Sequence, residues 1–120
     1  NHRAATRHAK THRSWGSAED LDRGAHFKVK RLTVNPGERL VLQSHRWRDK
    51  HWLVIAGTAE FQLDGKVRKL GKNDSVLIPR GGIHSLRNAG SDVLDFIEVQ
   101  TGDRLDEKDF VQHEGAVSAA

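Results

Sequence analysis

Apolar residues along this chain recur mostly at every second position, in short runs broken by Gly, Pro, Asn and Asp. That period places alternate side chains on opposite faces of a strand, whereas a helix face would need spacings of three and four. Phe27–Val34 alternates and is rich in β-branched residues, which predicts a strand, with a bulge where the phase breaks near Arg31. Asn35-Pro36-Gly37 reads as a turn, because Pro sets φ and Gly accepts a positive one. A second strand is predicted over residues 38–45, with Arg39, Val41, Gln43 and His45 on one face. Residues 51–56 are nearly all apolar, as expected of a strand buried on both faces or set in a dimer interface. Residues 58–63 and Lys66–Leu70 flank Asp64-Gly65, a strong hairpin signal. Ser75–Ile78 and residues 83–88 and 93–100 supply further strands, with residues 79–82 as a loop. No long window carries a helical period, and the acidic segment 103–114 fits a short helix or an edge strand equally. Eight or nine short strands predict a closed all-β fold.

A chain of 120 residues has room for one core, so a single domain is expected from about residue 14 to 115, between tails at 1–13 and 116–120. There is no apolar run long enough to span a bilayer. The opening NHRAATRHAKTHR has no apolar secretory segment, which makes the cytoplasm the default location. It also lacks an initiator Met, as a portion of a longer or processed protein would. The absence of Cys excludes disulfides and thiol chemistry. The net charge of +4 belongs to the first segment, where Arg3, Arg7, Lys10 and Arg13 meet no acid; the remaining 16 basic residues balance 16 acidic ones. Neither a basic face nor a recognition module is visible, so no nucleic-acid partner is expected. The tail, including His2, His8 and His12, reads as a solvated linker.

Two stretches concentrate the chemistry: QSHRWRDKHW from Gln43 and PRGGIHSLRN from Pro79. The strand period sends Gln43 and His45 to one face. Lys50 opens the next strand after a short connection, so two antiparallel neighbours are expected to aim three side chains at one point, with His84 joining from a third strand.

This spacing resembles the two-part signature of cupins. Counting from Gly37, the three ligand positions of the first cupin motif fall on Gln43, His45 and Lys50, and Gly57 closes it. The second motif reads Asn73, Pro79, Gly81, His84 and Asn88; Asn replaces its first glycine and tolerates the left-handed conformation. Within cupins, QSHRWRDKHWLVIAGTA, Trp15-Gly16-Ser17, FKVKRLTVNPGERL, IPRGGIH and FIEVQTG resemble the type II phosphomannose isomerases. In many bacteria that activity is the C-terminal cupin of a larger mannose-1-phosphate guanylyltransferase. The resemblance extends from about Arg13 to about His113.

The resemblance implies a single-domain jelly-roll cupin barrel that pairs as a homodimer. It implies interconversion of mannose 6-phosphate and fructose 6-phosphate through an enediol, which needs a base, an electrophile and a cationic pocket for the phosphate. A divalent metal, zinc or similar, would be the electrophile, with Gln43, His45 and His84 as its ligands. Arg48 matches the motif arginine and is the leading candidate for catalysis and for a bidentate phosphate contact. Arg39, if inward, requires an anion such as a sugar phosphate or a structural carboxylate. Lys28 and Lys30 share a face that is either cavity, where they join Arg39 and Arg48 as phosphate contacts, or solvent, and Trp52 reads as an apolar cavity wall.

The departures from the family bear on the metal. Lys50 stands where the family has its Glu ligand, Arg46 and Trp47 where it usually has His, and Ser14 where it has Pro. A second cation at about 4 Å costs roughly 4 kcal/mol per unit charge at an effective dielectric near 20. Asp49 is one residue out of register to replace the carboxylate. Lys50 is then a structural or anion-holding residue in a metal-free barrel, a catalytic base with a pKa lowered by burial, or a bystander to a metal on three ligands. The first of two functions is the metal-dependent isomerase. The other is a catalytically degenerate cupin that binds a sugar phosphate or assembles a larger enzyme.

Overall fold

The computed structural model describes residues 9–114, so residues 1–8 of the expected N-terminal tail and the tail at 116–120 lie outside the described residues. In chain order the strands are β1 (Lys10–Arg13), β2 (Gly16–Arg23), β3 (Phe27–Val34), β4 (Gln43–Ser44), β5 (Arg48–Ala56), β6 (Ala59–Leu63), β7 (Lys66–Leu70), β8 (Ser75–Ile78), β9 (His84–Asn88), β10 (Leu94–Gly102) and β11 (Val111–Gln112). They build two antiparallel sheets, ordered β1-β2-β3-β10-β5-β8 and β11-β4-β9-β6-β7. The described residues contain no helix, and therefore none long and apolar enough to cross a membrane. This is the expected single all-β domain.

Pairing register divides the inner face of the first sheet into rows that run across β3, β10 and β5. Leu32, Phe96 and Val54 form one row, Lys30, Glu98 and Trp52 the next, and Lys28, Gln100 and Lys50 a third. One end of the face is thus apolar and the other polar. The apolar end packs with Val34, Phe61, Leu70, Leu86 and Leu94 into the core, each large side chain contributing about 1.5–3 kcal/mol by leaving water. Trp52 is fully buried and meets Phe61 and Phe96 edge-on, with ring centroids 5.7 and 5.2 Å apart.

Several local expectations are corrected. Lys10–Arg13 is not tail but β1, paired with Ser17 and its neighbours on β2, a strand the residue pattern did not announce. Strand β3 pairs without interruption along β10; the irregularity lies in its other partner, between Asp20 and Asp22 of β2. Residues 38–45 are largely extended loop, with a single bridge from Arg39 to Arg87 and a regular strand only at Gln43–Ser44. The apolar run 51–56 belongs to a longer strand that alternates as far as Ile55: Trp52 and Val54 point in, while Leu53 and Ile55 are exposed. In the segment 103–114 the edge strand is realised, as β11 beside β4.

The turns match their residues. Asp64 and Gly65 take φ of 49° and 85°, and Asn73 takes 71°, the left-handed conformation expected of it. Gly102 has a different duty. A Cβ there would lie 2.3 Å from the Trp47 carbonyl oxygen, so the missing side chain lets the end of β10 close on the start of β5.

Candidate functional site

Gln43 and His84 are cross-strand partners on β4 and β9 of the second sheet. Lys50 comes from β5 of the first sheet, so it approaches them from the opposite wall and not from an adjacent strand, as the short connection had suggested. The loop between β8 and β9 is fastened to this region by two backbone donors: Gly81 N–H to the His45 carbonyl at 2.8 Å, and Arg80 N–H to Asp49 Oδ1 at 2.8 Å. Asn88, last residue of the second motif, is structural. Its amide donates to the carbonyls of Val34 and Asp92, both at 2.8 Å.

The Lys50 ammonium lies among the expected ligands. Its Nζ is 3.5 Å from Gln43 Oε1, 3.3 Å from His84 Nε2 and 3.4 Å from Glu98 Oε1, in a side chain that is almost wholly buried. His84 Nδ1–H donates to the Gly82 carbonyl at 2.9 Å, which leaves Nε2 as the acceptor for Lys50. Glu98 also accepts from Trp52 Nε1–H at 2.8 Å and from the Gln100 amide at 2.6 Å. Burial alone would raise the Glu98 pKa, but Lys50 and these two donors bring it down to about 2. Burial lowers the Lys50 pKa from its ordinary value, and the Glu98 carboxylate opposes that shift. Burial and the Lys50 charge hold His84 at about 3 and His45 at about 4, so both imidazoles are neutral at physiological pH.

Arg48 is buried and engaged through each of its three guanidinium nitrogens. It donates to Gln100 Oε1 at 2.7 Å, to Asp109 Oδ2 at 3.3 Å and to the Asp106 carbonyl. Asp109 also accepts from the backbone N–H groups of Arg46 at 2.7 Å and Trp47 at 3.0 Å, and its carbonyl accepts from His45 Nδ1–H at 2.5 Å. Burial works against ionisation of Asp109, but these donors and the Arg48 charge hold its pKa below the usual value. The guanidinium expected to meet a phosphate is therefore the clasp of an internal network.

A cavity of about 380 Å³ opens above this floor, within the range of small-molecule sites. Gln43, His45, Arg48, Lys50 and Lys30 line it. Arg39 is half-buried and not among the lining residues, because the irregular backbone of 38–42 breaks the expected two-residue alternation. The face shared by Lys28 and Lys30 is the inner one. Lys28 is buried with its Nζ 3.3 Å from Glu107 Oε2, while Lys30 reaches the cavity with its Nζ 3.8 Å from Asp20 Oδ1. Trp52 lies behind the cavity wall and supports Glu98. Glu98, Gln100 and Asp109 were not singled out by the motifs. The first two carry a signal in the sequence: they continue the inward parity of Leu94 and Phe96, which marks a buried acid and amide. Asp109, in an irregular segment, carries none.

Two antiparallel sheets closed over a polar cavity, with the P-x-G-x2-H-x3-N motif running from the β8–β9 loop through β9, define a cupin barrel. The chain matches the family described as mannose-6-phosphate isomerase C-terminal over residues 1–115, and it belongs to that family. Mannose-1-phosphate guanylyltransferase ManC of Salmonella typhimurium is 46% identical over 107 residues, 89% of this chain and 22% of that protein. Alginate biosynthesis protein AlgA of Pseudomonas aeruginosa is 45% identical over 102 residues, 85% of this chain and 21% of that protein. This chain thus spans about a fifth of the length of these relatives. A conserved protein with a double-stranded β-helix domain from Klebsiella pneumoniae shares the fold, with a TM-score of 0.78 at 19% identity and coverage of 96% of this chain and 98% of that one.

The residues present do not fit a divalent metal. Gln43 Oε1 and His84 Nε2, two of the three neutral donors, already accept from the Lys50 ammonium, whose charge would repel an ion. Among the described residues no three His, Cys, Asp or Glu side chains group as a metal site.

Two outcomes follow from these geometries. His45, His84 and Glu98 all have folded pKa values below their ordinary values of 6.5, 6.5 and 4.5. The unfolded chain therefore binds more protons, and stability present above about pH 6.5 should fall as the imidazoles and then Glu98 are forced to protonate. Urea midpoints at about pH 7 and about pH 5 check this, and an unchanged midpoint would contradict it. Exchanging Lys50→Glu should remove the tethered cation, free both donors and supply a carboxylate. Elemental analysis should then find a stoichiometric divalent ion in the variant and none in the parent; a stoichiometric ion in the parent would refute the interpretation.

Proposed function

We propose that this chain is a metal-independent cupin whose barrel binds a sugar phosphate and serves the longer protein as a binding or assembly module. The observation that carries this reading is the Lys50 ammonium on Gln43, His84 and Glu98, which takes the position where the chemistry of the family would require a metal. Similar proteins are named mannose-1-phosphate guanylyltransferases, and this chain matches 22% of their length, which supports a barrel working beside a nucleotidyl-transfer domain. A cytoplasmic location goes with that role.

One observation favours a second reading, interconversion of mannose 6-phosphate and fructose 6-phosphate. His45 Nε2 is buried without a hydrogen-bond partner among the described residues, on a side chain that lines the cavity. A neutral imidazole of this kind is the type of base that moves a proton between C1 and C2. Lys50, with its ammonium paired to Glu98, is a charge stabiliser in this setting rather than the base, and the engagement of Arg48 makes it a positioning residue.

The two readings separate in calorimetry with mannose 6-phosphate combined with an isomerase assay in chelator. Binding without turnover is the expected result. Turnover that persists in chelator would establish the His45 reading, and turnover abolished by chelator would overturn both in favour of a metal enzyme. We also propose a homodimer. Leu53, Ile55 and Leu77 present exposed apolar surface on the adjacent strands β5 and β8. Light scattering should give twice the chain mass at micromolar concentration, and Leu53→Asp with Leu77→Asp should return it to the monomer; a monomeric parent would sink this proposal.

A further inference from the structure

Strand β7 ends the second sheet, and among the described residues nothing pairs with its outer edge. The two-residue turn Asp64-Gly65 fixes which backbone groups that edge presents. With so short a loop, Leu63 and Lys66 exchange both hydrogen bonds, and the alternation of an antiparallel ladder gives Arg68 and Leu70 the same role. Val67 and Lys69 therefore turn their N–H and C=O groups away from β6, and neither bonds to the backbone of another described element. Residues 66–69 are all exposed, Val67 by 50%.

The edge is also strongly cationic. Lys66, Arg68 and Lys69 fall within four residues and Lys72 follows, and none of them makes an ion pair with a described residue. The acids of the facing strand and of the turns at either end of β7 are committed elsewhere. Glu60, opposite Lys69, accepts from the Arg87 guanidinium at 3.3 and 3.5 Å. Asp64 accepts from the Ile83 N–H at 2.9 Å, and Asp74 from the Gly71 N–H at 2.8 Å. Edge cations repel a second cationic strand, and by the same charge they attract an acidic one. No other free edge of this chain is acidic: β1 carries Lys10 and Arg13, while β8 and β11 carry no charge. Residues 1–8 and 115–120 contain no acid either. The complementary strand therefore lies outside this chain.

We propose that the free edge of β7 binds an acidic, extended segment of a partner protein as an added antiparallel strand. Opposite Lys69, Arg68, Val67 and Lys66 in turn, that segment reads acid, acid, apolar, acid, and the amides of its first and third residues bond to the edge at Lys69 and Val67. No residue of β7 lines the cavity, so the inference does not rest on the sugar-phosphate reading; it gives the proposed assembly role a surface.

A capped peptide Thr-Glu-Glu-Val-Glu-Thr, titrated into the isotope-labelled chain and followed by NMR, tests the proposal. It should shift the β7 amides saturably. The amides of Val67 and Lys69 should gain protection from hydrogen exchange, whereas those of Lys66 and Arg68 are already protected by β6. Methylating the nitrogens of the first Glu and the Val should abolish binding, and methylating those of the other two Glu residues should not. Joint substitution of Lys66→Gln, Arg68→Gln and Lys69→Gln should weaken the peptide by about tenfold or more, the loss of three cross-strand charge pairs, with circular dichroism confirming the fold. A peptide that does not bind would leave β7 a repulsive edge only and overturn the proposal. So would binding indifferent to the methyl groups, which is the behaviour of a general polyanion surface.

Discussion

The ion pair between Lys50 and Glu98 is the constraint on which the polar half of this barrel depends. Removing two charges from water costs several kcal/mol each, and only close pairing with further hydrogen bonds offsets it. Here the offset is assembled from two sheets: Gln43 and His84 take the ammonium, while Trp52 and Gln100 donate to the carboxylate. Gln100 then accepts from Arg48, Arg48 donates to Asp109, and Asp109 accepts from His45. Each residue is held by one neighbour and holds another, Asp109 taking Arg48 on its carboxylate and His45 on its backbone carbonyl. The orientation of His45 in the cavity is therefore coupled to a cation on the far wall.

Much of the fold was legible because burial on one face writes a two-residue period into a strand. Lys66–Leu70 and Ser75–Ile78 are strands with the bounds the pattern suggested, and Asp64-Gly65 is the turn its residues demand. Where neither face is strongly apolar, the period carries no message. Lys10–Arg13 is wholly exposed, and Gly16–Arg23 carries mostly half-buried polar residues, so pairing of β1 with β2 and of β2 with β3, not burial, makes them strands. The run at 51–56 was legible as a strand but not in its burial: Leu53 and Ile55 are apolar yet exposed in the single chain, and composition cannot distinguish an apolar outer face from a core.

The site divides along the same line. The spacing of Gln43, His45, Lys50 and His84 was sufficient to bring them together, because strand geometry converts spacing into direction. It was insufficient to say which strands would be neighbours, and Lys50 arrives from the opposite sheet. The fate of Arg48 was not legible either. Whether a guanidinium is free depends on carboxylates brought to it by the fold, and Asp109 lies 61 residues further along the chain.

That separation has a consequence for how the cavity comes into being. The contact between His45 and the Asp109 carbonyl spans 64 residues. The ladders of β6, β7 and β9, by contrast, lie between them and close shorter loops. Loop entropy makes local pairings cheaper to form than a distant one. During synthesis the floor residues Gln43, Lys50 and His84 leave the ribosome well before Asp109 does, so a nascent chain has the strands of the barrel before it has the segment that orients His45. The lining of the cavity is completed only with the last part of the domain, which supplies Glu107, Asp109 and Phe110.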